Sequence, residues 1–361
     1  MINPKIIAYY LPAFHEIDEN NKWYGKGFTE WDNNKRAKSL FYQHYQPRVP
    51  LNEYYYDLSN NEVLVEQMNL AKKYGIYGFC FYHYWFDESG RKILEKPAET
   101  MLKMKTATIP YCFAWTNESW RRTWHEGSGD SELLIEQKYG DEKDWENHFN
   151  YLLPFFKDTM YLKNENRPVF LVYKLENIKN SQRFIDYFNK RAKDNGFDGI
   201  YFVRMLTNSN CLNCKIETNA SVDFEPNYMF GSRSRDTIAY WRLKLGISRK
   251  TNGRILNKVN YNQFYHSIIN KKKNENEFYG CVTDWDNTPR KGKNGVILDK
   301  VSPKAFRENF SQIYNISKNK NKKYIFIFAW NEWGEGGYLE PDQKYEFAYL
   351  DAIHQCINNS H

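Results

Sequence analysis

Glu332 and Glu335 stand three residues apart in the stretch YIFIFAWNEWGEGGYLEPD, just after an apolar run that ends at Trp330. Two carboxylates in one site can divide the work of glycosidic chemistry. One protonates the leaving oxygen, and the other acts as base or nucleophile. Close together, they push their pKa values apart, so that one keeps its proton near neutrality. A separation of about 5–5.5 Å suits retention of configuration, and about 6.5–9.5 Å leaves room for a water. Trp330 and Trp333 alternate with the acids, Asn331 precedes them, and indole faces can stack on sugar rings. The plainer reading is a solvated, glycine-rich turn after a core strand. The tryptophans, the paired acids and the glycine run speak against it.

Something must hold these residues at the mouth of a cleft. Short β-favouring runs recur along the chain: Lys5 to Leu11, Gly78 to Tyr82, Ile109 to Ala114, Pro168 to Tyr173, Gly199 to Val203, Ser221 to Phe224, Phe278 to Val282 and Tyr324 to Ala329. Helical patterns lie between many of them: Asn61 to Tyr74, Pro97 to Met104, Asp144 to Leu153 with Pro154 as a stop or kink, and Ser181 to Asp194. The aromatic stretch after the first strand has no clean helical period and reads as an elaborate loop, a kind of segment that is usually functional. Eight strands mostly separated by helices predict an α/β fold, a (β/α)8 TIM barrel with long βα loops, forming a single domain over residues 1–361. Such a barrel takes about 250 residues, which leaves roughly a hundred for loops. The competing doubly wound sheet lacks a G-x-G-x-x-G after its first strand and a P-loop.

Barrel active sites lie at the C-terminal strand ends, where polar and aromatic clusters recur here. Glu118, beside Asn117, is a rival catalytic acid or a loop-fixing hydrogen bonder. Glu30 and Trp31 belong to the first long loop; Glu30 bonds substrate hydroxyls or pins that loop. His83 is a candidate hydroxyl contact, although a histidine beside an apolar run is more often structural. Tyr84, Trp85, Trp115, Trp120 and Trp333 are candidate stacking platforms, with core filling as the alternative for at least half of them. Trp285, Asp286, Asn287 and Arg290 supply hydrogen bonds at the seventh strand end or fix an Asn/Asp turn before Pro289. Asp284 and Asp286 alone make a weak cation site, and no metal or organic cofactor is indicated.

The 361 residues are 26% charged and 41% hydrophobic, which suits a soluble globular protein. Aromatic content is high at 18%, in keeping with carbohydrate binding or with core filling. No apolar run approaches the roughly 18 residues that would span a membrane. Met1 to Leu11 is too short for a signal peptide, which points to the cytoplasm. Of the six cysteines, Cys80, Cys112 and Cys281 read as reduced strand residues, and Cys211 and Cys214 as two free thiols rather than half of a zinc site. Residues 231–274 carry eleven Lys and Arg against one acid, Asp236. This stretch between the sixth and seventh strands reads as a solvated, basic helical excursion. The functional alternative is peripheral contact with an anionic membrane, a phosphate-bearing lipid or a nucleotide-sugar. A formal net charge of +7 and the lack of a binding motif argue against nucleic acid.

Several motifs together resemble a known family. YYLPAFHEIDENNKWYGKGFTEW (9–31), HYQPRVP (44–50), GFCFYHYWF (78–86), AWTNESW (114–120), WDNTPR (285–290) and AWNEWGEGGYLEPD (329–342) resemble the WbsX group, which is similar to glycoside hydrolase family 99, the endo-α-mannosidases. The resemblance implies a (β/α)8 barrel and retaining chemistry on glycosidic bonds. It implies that Glu332 deprotonates the sugar 2-OH, giving a 1,2-anhydro intermediate, and that Glu335 serves as general acid, then base. Gly334 stands where the hydrolases carry a histidine. WbsX members are associated with bacterial O-antigen or capsule synthesis and often labelled glycosyltransferases.

Three functions are expected from these readings. The first is an enzyme that cleaves or transfers glycosidic bonds in a bacterial surface polysaccharide or α-linked glycan. The second is a biosynthetic glycosyltransferase using a lipid-linked or nucleotide-linked sugar. The third is a carbohydrate-binding protein without catalysis, for which the two acids would be superfluous.

Overall fold

The computed structural model describes residues 2–122, 132–209, 211, 215–232, 245 and 256–359. Eight parallel strands form its centre: β1 (Lys5–Tyr10), β2 (Gly78–Trp85), β3 (Tyr111–Trp115), β4 (Arg167–Val172), β5 (Tyr201–Leu206), β6 (Ala220–Asp223), β7 (Glu277–Val282) and β8 (Tyr324–Phe328). Each pairs with its sequence neighbours, and β1 pairs with both β2 and β8, so the sheet closes on itself. The fold is a (β/α)8 barrel. Buried on both faces, most of the strands read as nearly continuous apolar runs, which is why their positions are visible in the sequence; β6, ASVD, does not.

The helices α1 (Asp18–Tyr24) and α2 (Glu30–Arg36) lie in the long first connection. Next come α3 (Asn61–Lys73), α4 (Lys96–Met104), α5 (Glu142–Lys157), α6 (Ser181–Asp194), α7 (Asn227–Ser232), α8 (Tyr261–Asn270), α9 (Thr288–Lys291), α10 (Pro303–Asn319) and α11 (Ala348–Asn358). The first connection is thus not wholly irregular. At seven residues each, α1 and α2 are too short to display a period, and α2 is started by its Thr29–Asp32 cap, with the Thr29 N–H donating to Asp32 at 2.8 Å. Pro154 does not stop α5. It falls in the last turn, and the helix runs on to bury Phe155 and Phe156, which offsets the lost backbone bond.

The basic stretch also departs from expectation. Residues 233–244 and 246–255, like Cys214, lie outside the described residues. The part of the stretch from Tyr261 onward is not a solvated excursion: α8 buries Tyr261, Phe264, Tyr265 and Ile268 against the barrel. Just beyond it, Lys271 and Lys273 both reach the buried Asp223 carboxylate at 2.7 Å. The Lys273 side chain is 1% exposed, so part of this charge is internal and neutralised. No described helix is long and apolar enough to cross a membrane.

Candidate active site

A cleft of about 340 Å³ opens among the C-terminal ends of the strands. Its charged end is formed by Glu30 from α2, Arg290 from α9, and Glu332 and Glu335 from the loop after β8. That loop leaves the barrel through Asn331, whose amide bonds both the Leu11 N–H (2.8 Å) and the Leu11 carbonyl (3.0 Å), tying the eighth strand end to the first. One 3-10 turn, Trp333–Glu335, then separates the two acids. The turn is anchored from behind: the Trp333 indole stacks on Tyr338 with centroids 3.8 Å apart and donates to Glu340 at 2.6 Å. In front, the Asp286 N–H donates to the Glu335 carbonyl at 2.8 Å.

Gly336 ends the turn at φ +70. A Cβ there would lie 3.0 Å from the Arg48 guanidinium, which donates to the Gly336 carbonyl at 3.1 Å and pairs with Asp284 at 2.9 Å. Gly336→Ala is expected to cost about 1–2 kcal/mol of stability from the left-handed backbone alone. Chemical denaturation would measure the loss, and an unchanged midpoint would mean that the turn is slack.

The Arg290 guanidinium faces three carboxylates. It lies 2.7 Å from Glu335, 3.8 Å from Glu332 and 3.9 Å from Glu30. Three acids against one cation leave this end of the cleft net negative when all are ionised. Burial pushes Glu332 up to about 8; Glu335 and Glu30 add to the rise, and Arg290 opposes it. Burial also raises Glu30, against the pull of Arg290 and with a smaller push from Glu335. Near neutrality the Glu332 proton is therefore retained. Glu332 Oε2, Glu30 Oε2 and the Tyr82 hydroxyl have no hydrogen-bond partner among the described residues. All three residues line the cleft.

A raised carboxylate pKa has a consequence for stability. From the ordinary value of 4.5 up to about 8, the folded state holds a proton that the unfolded chain releases, so stability falls as pH rises through that window. Glu332→Gln removes this dependence. The variant is expected to melt a few degrees above the wild type at pH 8 and with little difference at pH 5. Melting curves at the two pH values check the sign.

Of the residues singled out in the sequence, the cleft brings together Glu30, Tyr84, Glu118, Glu332 and Glu335, with Trp120 and Arg290. Glu118 sits at the rim, ion-paired with Lys174. The others are elsewhere. Strand alternation turns Tyr82 and Tyr84 into the cleft and His83 and Trp85 outward to α5, where His83 bonds His148 at 2.8 Å and Trp85 bonds Asp144 at 2.8 Å. Trp115 is fully buried beside them, its indole donating to the Trp85 carbonyl. Asn117 is spent on both backbone groups of Lys174. Trp31 donates to the Tyr56 carbonyl and packs on Phe14 and Trp333. Trp285 packs on Phe328. Asp286 is consumed by His44, Gln46 and Thr288. Asn331 and Trp333 hold the Trp333–Glu335 turn rather than facing the cleft.

The cleft is also lined by Tyr24, Tyr82, Tyr173 and Phe224, which sequence reasoning passed over. Two signals were available. Tyr82 shares a strand face with Tyr84, and Tyr173 and Phe224 end the fourth and sixth predicted strands.

A family model described as Glycosyltransferase WbsX matches residues 6–353. The chain belongs to the WbsX family. Two curated relatives, each described as uncharacterized protein WxcX, come from two strains of Xanthomonas campestris pv. campestris. Each is 32% identical over 359 residues, which is 98% of this chain and 50% of the relative. This WbsX chain thus spans about half the length of the curated relatives it matches. Among solved structures, the GH99 endo-α-mannosidase from Bacteroides thetaiotaomicron superposes with TM-score 0.56 at 12% identity, covering 99% of this chain and 98% of that one. A structure titled glycoside hydrolase-like protein gives TM-score 0.59 at 12% identity, over 99% and 94%. At such identities the likeness concerns the fold. The family description is that of a glycosyltransferase group, and the shared fold is the (β/α)8 barrel.

Proposed function

We propose that the chain opens an α-linked glycosidic bond of a polysaccharide with retention of configuration, using Glu332 and Glu335. The observation that carries this reading is the arrangement of Glu30, Glu332 and Glu335 around Arg290 at the end of an aromatic cleft. The roles come from the family resemblance and fit the electrostatics. Burial makes Glu332 a stronger base than an ordinary carboxylate, as removal of a hydroxyl proton requires. Its own proton must leave first. Glu335, beside Arg290, is the acid–base partner at the glycosidic oxygen. Glu30 and the Tyr82 and Tyr84 hydroxyls bind the sugar, and Trp120 is its stacking face. Carboxylates about 5–5.5 Å apart would favour direct attack; participation of the 2-OH relaxes that requirement.

A transferase reading rests on the family description. Arg290 is already shared among three carboxylates, which argues against a sugar diphosphate seated there. A neutral sugar fits better, and α-mannosides, the class named for the Bacteroides neighbour, are the first to try. Mass spectrometry of a panel of α-linked oligosaccharides and bacterial surface glycans, with and without added sugar phosphates, is the test. Cleavage that disappears in Glu335→Gln supports hydrolysis. Transfer only with an activated sugar moves the function to synthesis. Glycan binding without any turnover, unchanged in the Gln variants, would make this a binding protein.

A further inference from the structure

A second concavity lies on the same end of the barrel. It is a groove of about 790 Å³ formed by the first long connection, the strand Asn257–Asn260 before α8, the residues after the strand Val296–Asp299, and the loop after β8. Its walls carry Phe41, Tyr42 and Tyr45 with Lys258, Lys300 and Lys344. The carboxylate among its lining residues is Asp299, 3.6 Å from Lys258. Lys300 and Lys344 have no carboxylate partner among the described residues. Two of the ammonium groups are held over rings: Lys258 lies 3.6 Å from the Phe41 centroid, and Lys344 lies 4.6 Å from that of Tyr45. Tyr42 is 88% exposed. Gln43 and Lys300 hold left-handed backbone, at φ 62 and 66. Such residues persist only where the surroundings enforce them.

A run of contacts links the groove to the Trp333–Glu335 turn. Phe41 stacks on His44 with centroids 4.4 Å apart, and His44 bonds Asp286 at 2.8 Å. The Asp286 N–H in turn holds the Glu335 carbonyl. The balance of charged side chains differs between the two concavities: three lysines against one acid line the groove, whereas four glutamates (Glu30, Glu118, Glu332 and Glu335) and two arginines (Arg121 and Arg290) line the cleft. A chain of alternating neutral and acidic sugars would match that pattern, with the neutral residue at the carboxylates and the acidic one among the lysines. Tyrosine faces suit pyranose rings, and a concave site suits a chain better than a flat membrane.

Resting on the proposed function of the cleft, we infer that this groove is an outer subsite for an anionic sugar residue, one bearing a carboxylate or a phosphate, in the polysaccharide substrate. It supplies binding energy away from the reacting bond, which the enzyme can use to orient the chain.

The test is calorimetry on Glu335→Gln, which is kept from turning substrate over. The probes are a galacturonate oligomer, a phosphomannan oligomer and a neutral mannan oligomer of equal length. At least one acidic oligomer is expected to bind about tenfold or more tighter than the neutral one. The triple change Lys258→Gln, Lys300→Gln, Lys344→Gln removes that advantage and leaves the neutral oligomer's affinity where it was. Tyr42→Ala, at an exposed position that folding does not need, weakens the same probe. Which acidic oligomer wins separates a uronate from a phosphate subsite. Acidic probes that bind no better than the neutral one, or an advantage that survives the triple change, overturn the inference. An equal loss of binding to short DNA or to anionic vesicles also overturns it, since the groove would then be a general polyanion surface. These outcomes are independent of turnover. If the groove binds and the Gln variants at 332 and 335 cleave normally, the catalytic reading fails alone.

Discussion

Glu335→Gln is expected to slow cleavage of a natural glycosidic bond by about 10²–10⁴-fold, and to slow an aryl glycoside with a good leaving group far less. The difference arises because an acidic phenol departs without a proton, so loss of the general acid matters little to it. Glu332→Gln is expected to slow both substrates alike, because deprotonation of the nucleophile precedes either departure. The pH profile adds an independent check. Glu332 works as base only when ionised, and burial beside Glu335 and Glu30 holds it up to about 8. For the aryl glycoside, which needs no proton from Glu335, kcat/KM should therefore climb with pH below that value, by about tenfold per unit. If the two glutamates exchange roles, the leaving-group pattern inverts between the variants, and the aryl glycoside shows no rising limb toward about 8. Equal, small losses in both variants would remove the pair from catalysis.

The second large effect is expected at Arg290. Arg290→Met deletes the guanidinium that faces Glu30, Glu332 and Glu335. Arg290 pulls Glu332 down, so its loss raises Glu332 further. The rising limb of the aryl glycoside's pH profile then moves to higher pH, and its turnover at pH 7 drops by more than about tenfold. Stability falls as well, by about 3–5 kcal/mol, since buried carboxylates lose their counter-charge. Arg290→Lys restores charge but not the forked geometry, and should recover stability better than rate. The discriminating readout is the shift of the profile. A profile lowered at every pH without moving would make Arg290 a structural prop rather than a group that sets the Glu332 proton.

Legibility in the sequence tracked physical cause. Most barrel strands were visible because a strand covered on both faces is a run of apolar residues such as YIFIF, bounded by polar loops; the sixth, ASVD, is the exception. Longer helices were visible where caps and periods agreed; α6 coincides with its expected span, Ser181–Asp194. The short α1 and α2 were invisible because about seven residues cannot show a 3.6-residue period. The burial of Lys271 and Lys273 was invisible for another reason: composition counts charges without showing which carboxylate waits inside, here Asp223.

At the mouth of the barrel, residue type and spacing indicated the neighbourhood but not the direction. The strand-end rule gathered His83, Trp85 and Trp115 with Tyr84 and Glu118, although only the latter two reach the cleft. Alternation along GFCFYHYW could have separated Tyr82 and Tyr84 from His83 and Trp85, since neighbouring strand residues point to opposite faces.

By itself, then, the sequence determined the closed parallel barrel, the family and the two glutamates after the eighth strand, because these depend on local residue type and spacing. The tertiary structure decided which aromatic rings face the cleft and that Arg290 gathers three acids from separate loops. It also decided that Asp286, Asn331 and Trp333 hold the turn from outside the cleft, and that a lysine-lined groove lies behind Asp286. These depend on contacts between residues far apart in the chain, such as Glu30 with Arg290 and Leu11 with Asn331. Their directions are set by packing, which no local pattern encodes.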